Sequence, residues 1–137
     1  MIFVDSSAWI ALEIPDDTNH GAAVAVWKRV QRGEFGTAVT SDGVLSESLT
    51  AARMDGGLEA AESLGRRVLE GRAVRVVWTT PEVFREGWAL MRRRRDKRWS
   101  LTDCISFIHM EGSHVETAFS FDEDFRQAGF PVVPELK

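Results

Sequence analysis

Cysteine is nearly missing from this chain of 137 residues: Cys104 stands alone, so no internal disulfide framework holds the fold. A lone cysteine suits a reducing compartment, and inside an apolar helical stretch it reads as a small buried hydrophobe. No apolar run reaches the length of a membrane span. No basic leader precedes the first apolar segment, so the expectation is a cytoplasmic protein without a signal peptide. Histidine is sparse, and His20, His109 and His114 together with Cys104 give no zinc-ligand spacing. His109 and His114 read as surface or helix-end residues. Internal repeats and low-complexity linkers are absent, apart from one basic run. The net charge of −4 gives no overall basic character, which on its own argues against a polyanionic partner.

What is present describes a globular protein. An apolar fraction of 44% and a charged fraction of 28% are ordinary values, and the length suits one domain over residues 1–137 with a real core. Residues 2–5 read as a short buried strand. Ser6 and Ser7 offer caps for a helix over 8–13, which Pro15 stops. Helices follow over 20–32, from Ser41 or Asp42 to 53, and, after the break at Gly56-Gly57, to 70. Strands are expected at 37–40, 74–78, 117–121 and 131–133. Pro81 suits the first turn of a helix that runs into the arginines, and Ser100 starts another over 101–111. A short helix is expected over 123–127. Strands alternating with helices indicate an α/β, three-layer fold with a mostly parallel central sheet and helices on both faces.

Four carboxylates stand beside short apolar segments: Asp5, Glu47, Asp103 and Asp122. Asp5 closes Ile2-Phe3-Val4, and Asp122 follows Ala118-Phe119-Ser120-Phe121. Glu47 shares a helix face with Val44 and Ala51, and Asp103 with Phe107 and Met110. Ionised carboxylates in apolar surroundings are costly unless something compensates them. Sites in parallel sheets form beyond the carboxyl ends of strands, so one end of the sheet could gather all four around a cation. Hard oxygen ligands of this kind suit Mg²⁺ or Mn²⁺, and the chemistry they serve is phosphodiester hydrolysis. Each acid also has a plain structural reading; Ser100-x-x-Asp103, for instance, resembles a capping box.

Ile2-Phe3-Val4-Asp5-Ser6-Ser7-Ala8, Leu45-Ser46-Glu47, Ser100-Leu101-Thr102-Asp103 and Phe119-Ser120-Phe121-Asp122-Glu123-Asp124-Phe125 resemble, in order and spacing, the four motifs of PIN-domain ribonucleases. The likeness is greatest to the VapC toxins of toxin–antitoxin pairs. It implies a PIN-like fold and a metal-dependent endoribonuclease leaving 5′-phosphate and 3′-hydroxyl ends. It also implies a homodimer and a tight antitoxin partner. Asp5, Glu47, Asp103 and Asp122 match the acidic quartet. Ser6 matches a small hydroxyl residue that orients a ligand, and Ser120 a hydroxyl residue supporting the site. In the Asp-x-Asp pair Asp122 is favoured as the site residue, with Asp124 assisting through water.

The basic run departs from that pattern by its density. Arg92, Arg93, Arg94, Arg95, Lys97 and Arg98, with Asp96 among them, carry a local charge of +5. They read either as an RNA-backbone track leading to Asp103 or as a solvated helix end. Trp99 could stack on a splayed base, although core or dimer packing is the commoner fate of such residues. A haloacid-dehalogenase-type phosphatase would need a second aspartate where Ser7 stands. A response-regulator receiver would need an aspartate after the strand that ends in Thr79-Thr80. The remaining alternatives are a PIN nuclease of RNA maturation or decay, and a non-catalytic RNA- or protein-binding module.

Overall fold

The computed structural model describes residues 1–135. Five strands form one parallel sheet in the order β3-β2-β1-β4-β5. They are β1 (Ile2–Val4), β2 (Ala38–Ser41), β3 (Val74–Val77), β4 (Thr117–Phe119) and β5 (Val132–Val133). Helices α1 (Ser6–Glu13), α2 (His20–Gln31), α3 (Asp42–Gly65), α4 (Pro81–Arg93), α5 (Leu101–Gly112) and α6 (Asp124–Gln127) form the connections. This is the three-layer α/β arrangement that the alternation of elements predicts. Ile2, Phe3, Val4 and Phe119 are fully buried because the central strands are covered on both sides, so their sequences run apolar without alternation.

Local chemistry sets the boundaries. Gly57 adopts φ 78° and ψ −176°, so the α3 helix kinks there instead of running straight. A single π-helical turn, Arg66–Glu70, then closes the segment. Thr80 and Ser100 cap α4 and α5 through their hydroxyls, and Ser41 does the same for α3. At α1, by contrast, Asp5 takes the capping position and not Ser6 or Ser7, and its side chain makes no cap bond. Strand β4 ends two residues sooner than expected. Ser120 N–H still reaches the Val133 carbonyl, but Phe121 N–H turns to the Ser7 hydroxyl, and Pro134 has no N–H with which to extend β5.

Helix α4 lies against α5 at Gly87, its one buried residue. A Cβ there would come 2.5 Å from Ile105 Cγ1 and 3.2 Å from its backbone. Gly87→Val is therefore expected to destabilise the protein by about 2 kcal/mol despite the gain in helix propensity, which thermal unfolding followed by circular dichroism will measure. An unchanged melting temperature would show that α4 can lift off α5 freely.

Candidate active site

The carboxyl ends of β1 and β4 meet beneath the first turns of α3 and α5, and the acids of the sequence motifs gather there. Asp5 is the centre of the group and is 2% exposed. Its Oδ2 accepts from the Ser120 hydroxyl at 2.9 Å and from the Ser7 hydroxyl at 3.0 Å. Those hydroxyls are held in turn: Ser120 Oγ accepts from Asp122 N–H, and Ser7 Oγ from Phe121 N–H. The pair staples β1 to the β4 end. Burial raises the Asp5 pKa to about 6, the Ser120 bond opposes that rise, and the nearby Asp122 charge adds to it.

Asp103 occupies the first turn of α5 in a complete capping box. Its N–H donates to Ser100 Oγ, and its Oδ2 accepts from Ser100 N–H. The plain structural reading of Asp103 is thus correct, and it coexists with a place in the site. Burial raises its pKa to about 7, the Ser100 N–H opposes this, and the charges of Asp5 and Asp124 push it further up. Partial loss of water around its carboxyl also raises Asp122, with Asp124 and then Glu47 adding like charge. Glu47 Oε1 accepts from the Ser6 hydroxyl at 2.9 Å. Five carboxylates therefore share one electrostatic neighbourhood, Asp124 included.

Burial corrects one expectation. Glu47 and Asp122 are exposed and Asp103 is intermediate, so only Asp5 sits in truly apolar surroundings. Val44 and Ser48 of α3 point into the core, while Glu47 faces the open mouth of the site. Among the described residues no three acidic, histidine or cysteine side chains form a ready cation cage. The donors still fit a hard divalent cation: all are carboxylate oxygens, and one of them is buried with like charge around it and, among the described residues, no basic partner. Ser7 is the residue that sequence reasoning passed over, read there only as a helix cap. Its signal was its place two residues after Asp5, where the chain turns back toward β4.

The tryptophans and histidines divide between their alternative readings. Trp99 is buried: its indole N–H donates to Gln127 Oε1, and it packs edge-on against Phe107. It is therefore not free to stack on a base. The Arg94 guanidinium lies over its ring at 5.0 Å and pairs with Asp96. Arg94 thus anchors the loop, while Arg92, Arg93, Arg95 and Arg98 remain exposed. Trp9 and Trp27 are core residues, whereas Trp78 and Trp88 are exposed. His109 is buried, not at the surface, with Nε2 2.9 Å from Thr79 Oγ1. Burial lowers its pKa. His114 is exposed and Cys104 is buried, as expected.

Comparison with known proteins bears on the family and the fold. The family model for the PIN domain matches residues 2–131. The chain is 33% identical over 130 residues to the 23S rRNA-specific endonuclease VapC20 of Mycobacterium tuberculosis, covering 95% of each chain, in two strains of that organism. It is also similar to the crystal structure of VapC20, described as a sarcin–ricin loop cleaving toxin. There the TM-score is 0.87 at 32% identity, with 95% of this chain and 96% of the other covered. The chain belongs to the PIN-domain family, among the ribonucleases that act as toxins of toxin–antitoxin pairs.

Proposed function

We propose that this protein, as one domain over the whole chain, hydrolyses ribosomal RNA of the large subunit at the acidic group around Asp5. The observation that carries this reading is the buried Asp5 carboxylate, held by two hydroxyls and facing Asp103 and Asp122 with no cationic side chain among the described residues to neutralise it. Asp5, Glu47, Asp103 and Asp122 would hold Mg²⁺ or Mn²⁺, which supplies the Lewis acidity that activates water and offsets charge developing on the phosphate. Ser7 and Ser120 fix the Asp5 carboxylate, Ser6 fixes Glu47, and Ser100 fixes Asp103. Asp124, close to Asp103 and half-buried, serves beside Asp122 as a supporting acid. The substrate class rests on the relative, which is a 23S rRNA-specific endonuclease.

The exposed cations Arg92, Arg93, Arg95 and Arg98, with Lys97, lie on the chain that leads into Ser100 and the first turn of α5. They guide the RNA backbone toward Asp103. Neutral replacement of these five is expected to weaken RNA binding and to flatten its dependence on salt, each lost phosphate contact removing roughly one unit of slope. An unchanged slope would return the run to a solvated helix end. A protein antitoxin and a second copy of the chain are the proposed partners, with the cytoplasm as the compartment. No described helix is long and apolar enough to cross a membrane. Exposed Met54, Leu58, Trp88 and Met91 supply apolar area for such partners.

The deciding experiment incubates the purified protein with ribosomes and with total RNA, with and without Mg²⁺, and maps new 5′ ends, using Asp5→Asn protein as control. Discrete Mg²⁺-dependent cuts in large-subunit RNA are expected. Cuts that persist in Asp5→Asn, or in excess chelator, would refute the carboxylate–cation reading.

A further inference from the structure

Beside the acidic group, on the same carboxyl edge of the sheet, is a small cavity of about 170 Å³ lined by Ser41, Asp42, Thr79, Phe84, Thr102 and Ile105, among others. It opens where the first turns of α3 and α5 meet: a Cβ on Gly43 would lie 3.9 Å from Thr102 Cγ2. Glu47 follows Gly43 by one helical turn on the same face of α3, and Asp103 follows Thr102 directly. Ser41 and Thr79 come from the ends of β2 and β3, next along from Asp5 on β1. At the usual strand spacing, that places the cavity about 5–10 Å from the acids. This is the reach of a nucleotide adjoining the one that is cut.

Its lining is that of a base-recognition site. Phe84 is 49% exposed and offers a ring at the cavity wall. Asp42 Oδ1 accepts from both the N–H and the hydroxyl of Thr79, at 3.0 and 2.6 Å. Because that hydroxyl donates to Asp42, His109 must donate to Thr79 through Nε2–H. The network therefore holds the carboxylate rigidly from behind. Among the described residues no donor pairs with Asp42 Oδ2, and the Thr102 hydroxyl is likewise uncommitted. A fixed acceptor, a free hydroxyl and an aromatic wall in a space of this size match one nucleobase. We infer that this cavity holds a single unpaired base of the RNA next to the cut, stacked on Phe84, its N–H edge read by Asp42, with guanine the tightest fit. Guanine presents two adjacent N–H groups on one edge, and both can donate to the open lone pairs of Oδ2.

This inference rests on the ribonuclease reading, and the test separates the two. Fluorescent six-nucleotide RNAs, uridine throughout except for one varied position, are titrated with the full chain in chelator, so that binding is measured without cleavage. Wild-type protein is expected to prefer guanine at one position by about tenfold, equal to about 1.4 kcal/mol. Phe84→Ala should weaken binding of every base at that position and Phe84→Trp should restore it, because stacking does not distinguish bases. Asp42→Asn preserves an oxygen for Thr79 but turns the outer acceptor into a donor, so guanine should fall behind bases that present acceptors. Three results would overturn the inference: equal binding of all bases by wild type, a guanine preference untouched by Asp42→Asn, or a Phe84→Ala effect confined to the sedimentation of a dimer. The last would mean that a second copy covers Phe84. The same proteins with Mg²⁺ and long RNA then judge the parent reading: absence of cleavage there, with base preference retained in chelator, refutes the nuclease and not the base site.

Discussion

Asp5→Asn protein is expected to lose RNA cleavage and, without a divalent cation, to melt at a higher temperature than wild type. The first effect should exceed the roughly 10- to 100-fold loss typical of a supporting residue, because Asp5 is the buried member of the acidic group. The second follows from the same burial. Asp5 titrates at about 6 instead of 3.8, so holding it ionised above that pH costs on the order of 3 kcal/mol. Asparagine removes the charge and keeps an oxygen for the Ser7 and Ser120 hydroxyls, at the cost of a poorly paired amide N–H. A net gain of about 1–2 kcal/mol, or roughly 3–6 °C, is expected by calorimetry in chelator. A lower melting temperature would show that the Asp5 charge is already balanced in the protein itself.

In chelator, stability should fall as pH rises from about 4 to 8, and Mn²⁺ or Mg²⁺ should reverse that trend. Asp5 and Asp103 titrate at about 6 and about 7 when folded, above the usual aspartate range of the unfolded chain. The folded state therefore binds more protons than the unfolded state in this window, and unfolding free energy decreases with pH. This is opposite in sign to the common salt-bridged aspartate. The contribution is fully present below the unfolded pKa and is lost as pH rises through the folded values. A cation favours the ionised forms, so its binding should weaken below about pH 7 as protons compete. Melting temperatures at half-unit pH steps, with and without Mn²⁺, are the measurement. A curve that rises with pH in chelator would sink the account of these two carboxylates.

The acids themselves were legible because each motif pairs a carboxylate with an element the chain must form. An apolar triplet followed by Asp5 reads as a strand end, and Ser100 three residues before Asp103 reads as a helix start. Their burial was not legible. The spacing of Glu47 from Val44 and Ala51 suggests an apolar face, yet Glu47 is exposed, since a helix beside an open site buries one flank and wets the other. Ser6 and Ser7 look equivalent in sequence. The helical turn of about 100° per residue separates them, sending Ser6 to Glu47 on α3 and Ser7 toward Ser120 beyond β4. Trp99 took the commoner of its two readings, core packing, and His109 lies at the helix end but buried, for a related reason: amphipathic side chains join whichever neighbour supplies a partner. Gln127 and Thr79, far away along the chain, drew both into the interior.

By itself the sequence determined the α/β alternation, the parallel sheet and the identity of the acids, because these depend on local propensity and on apolar runs that tolerate no other placement. Only the tertiary structure decided which acid is buried, which hydroxyl holds it, which arginines stay free and where a base-sized cavity adjoins the site. Those properties depend on packing between segments as distant as Ser7 and Ser120, where the desolvation of one carboxylate is set by residues that no local pattern encodes.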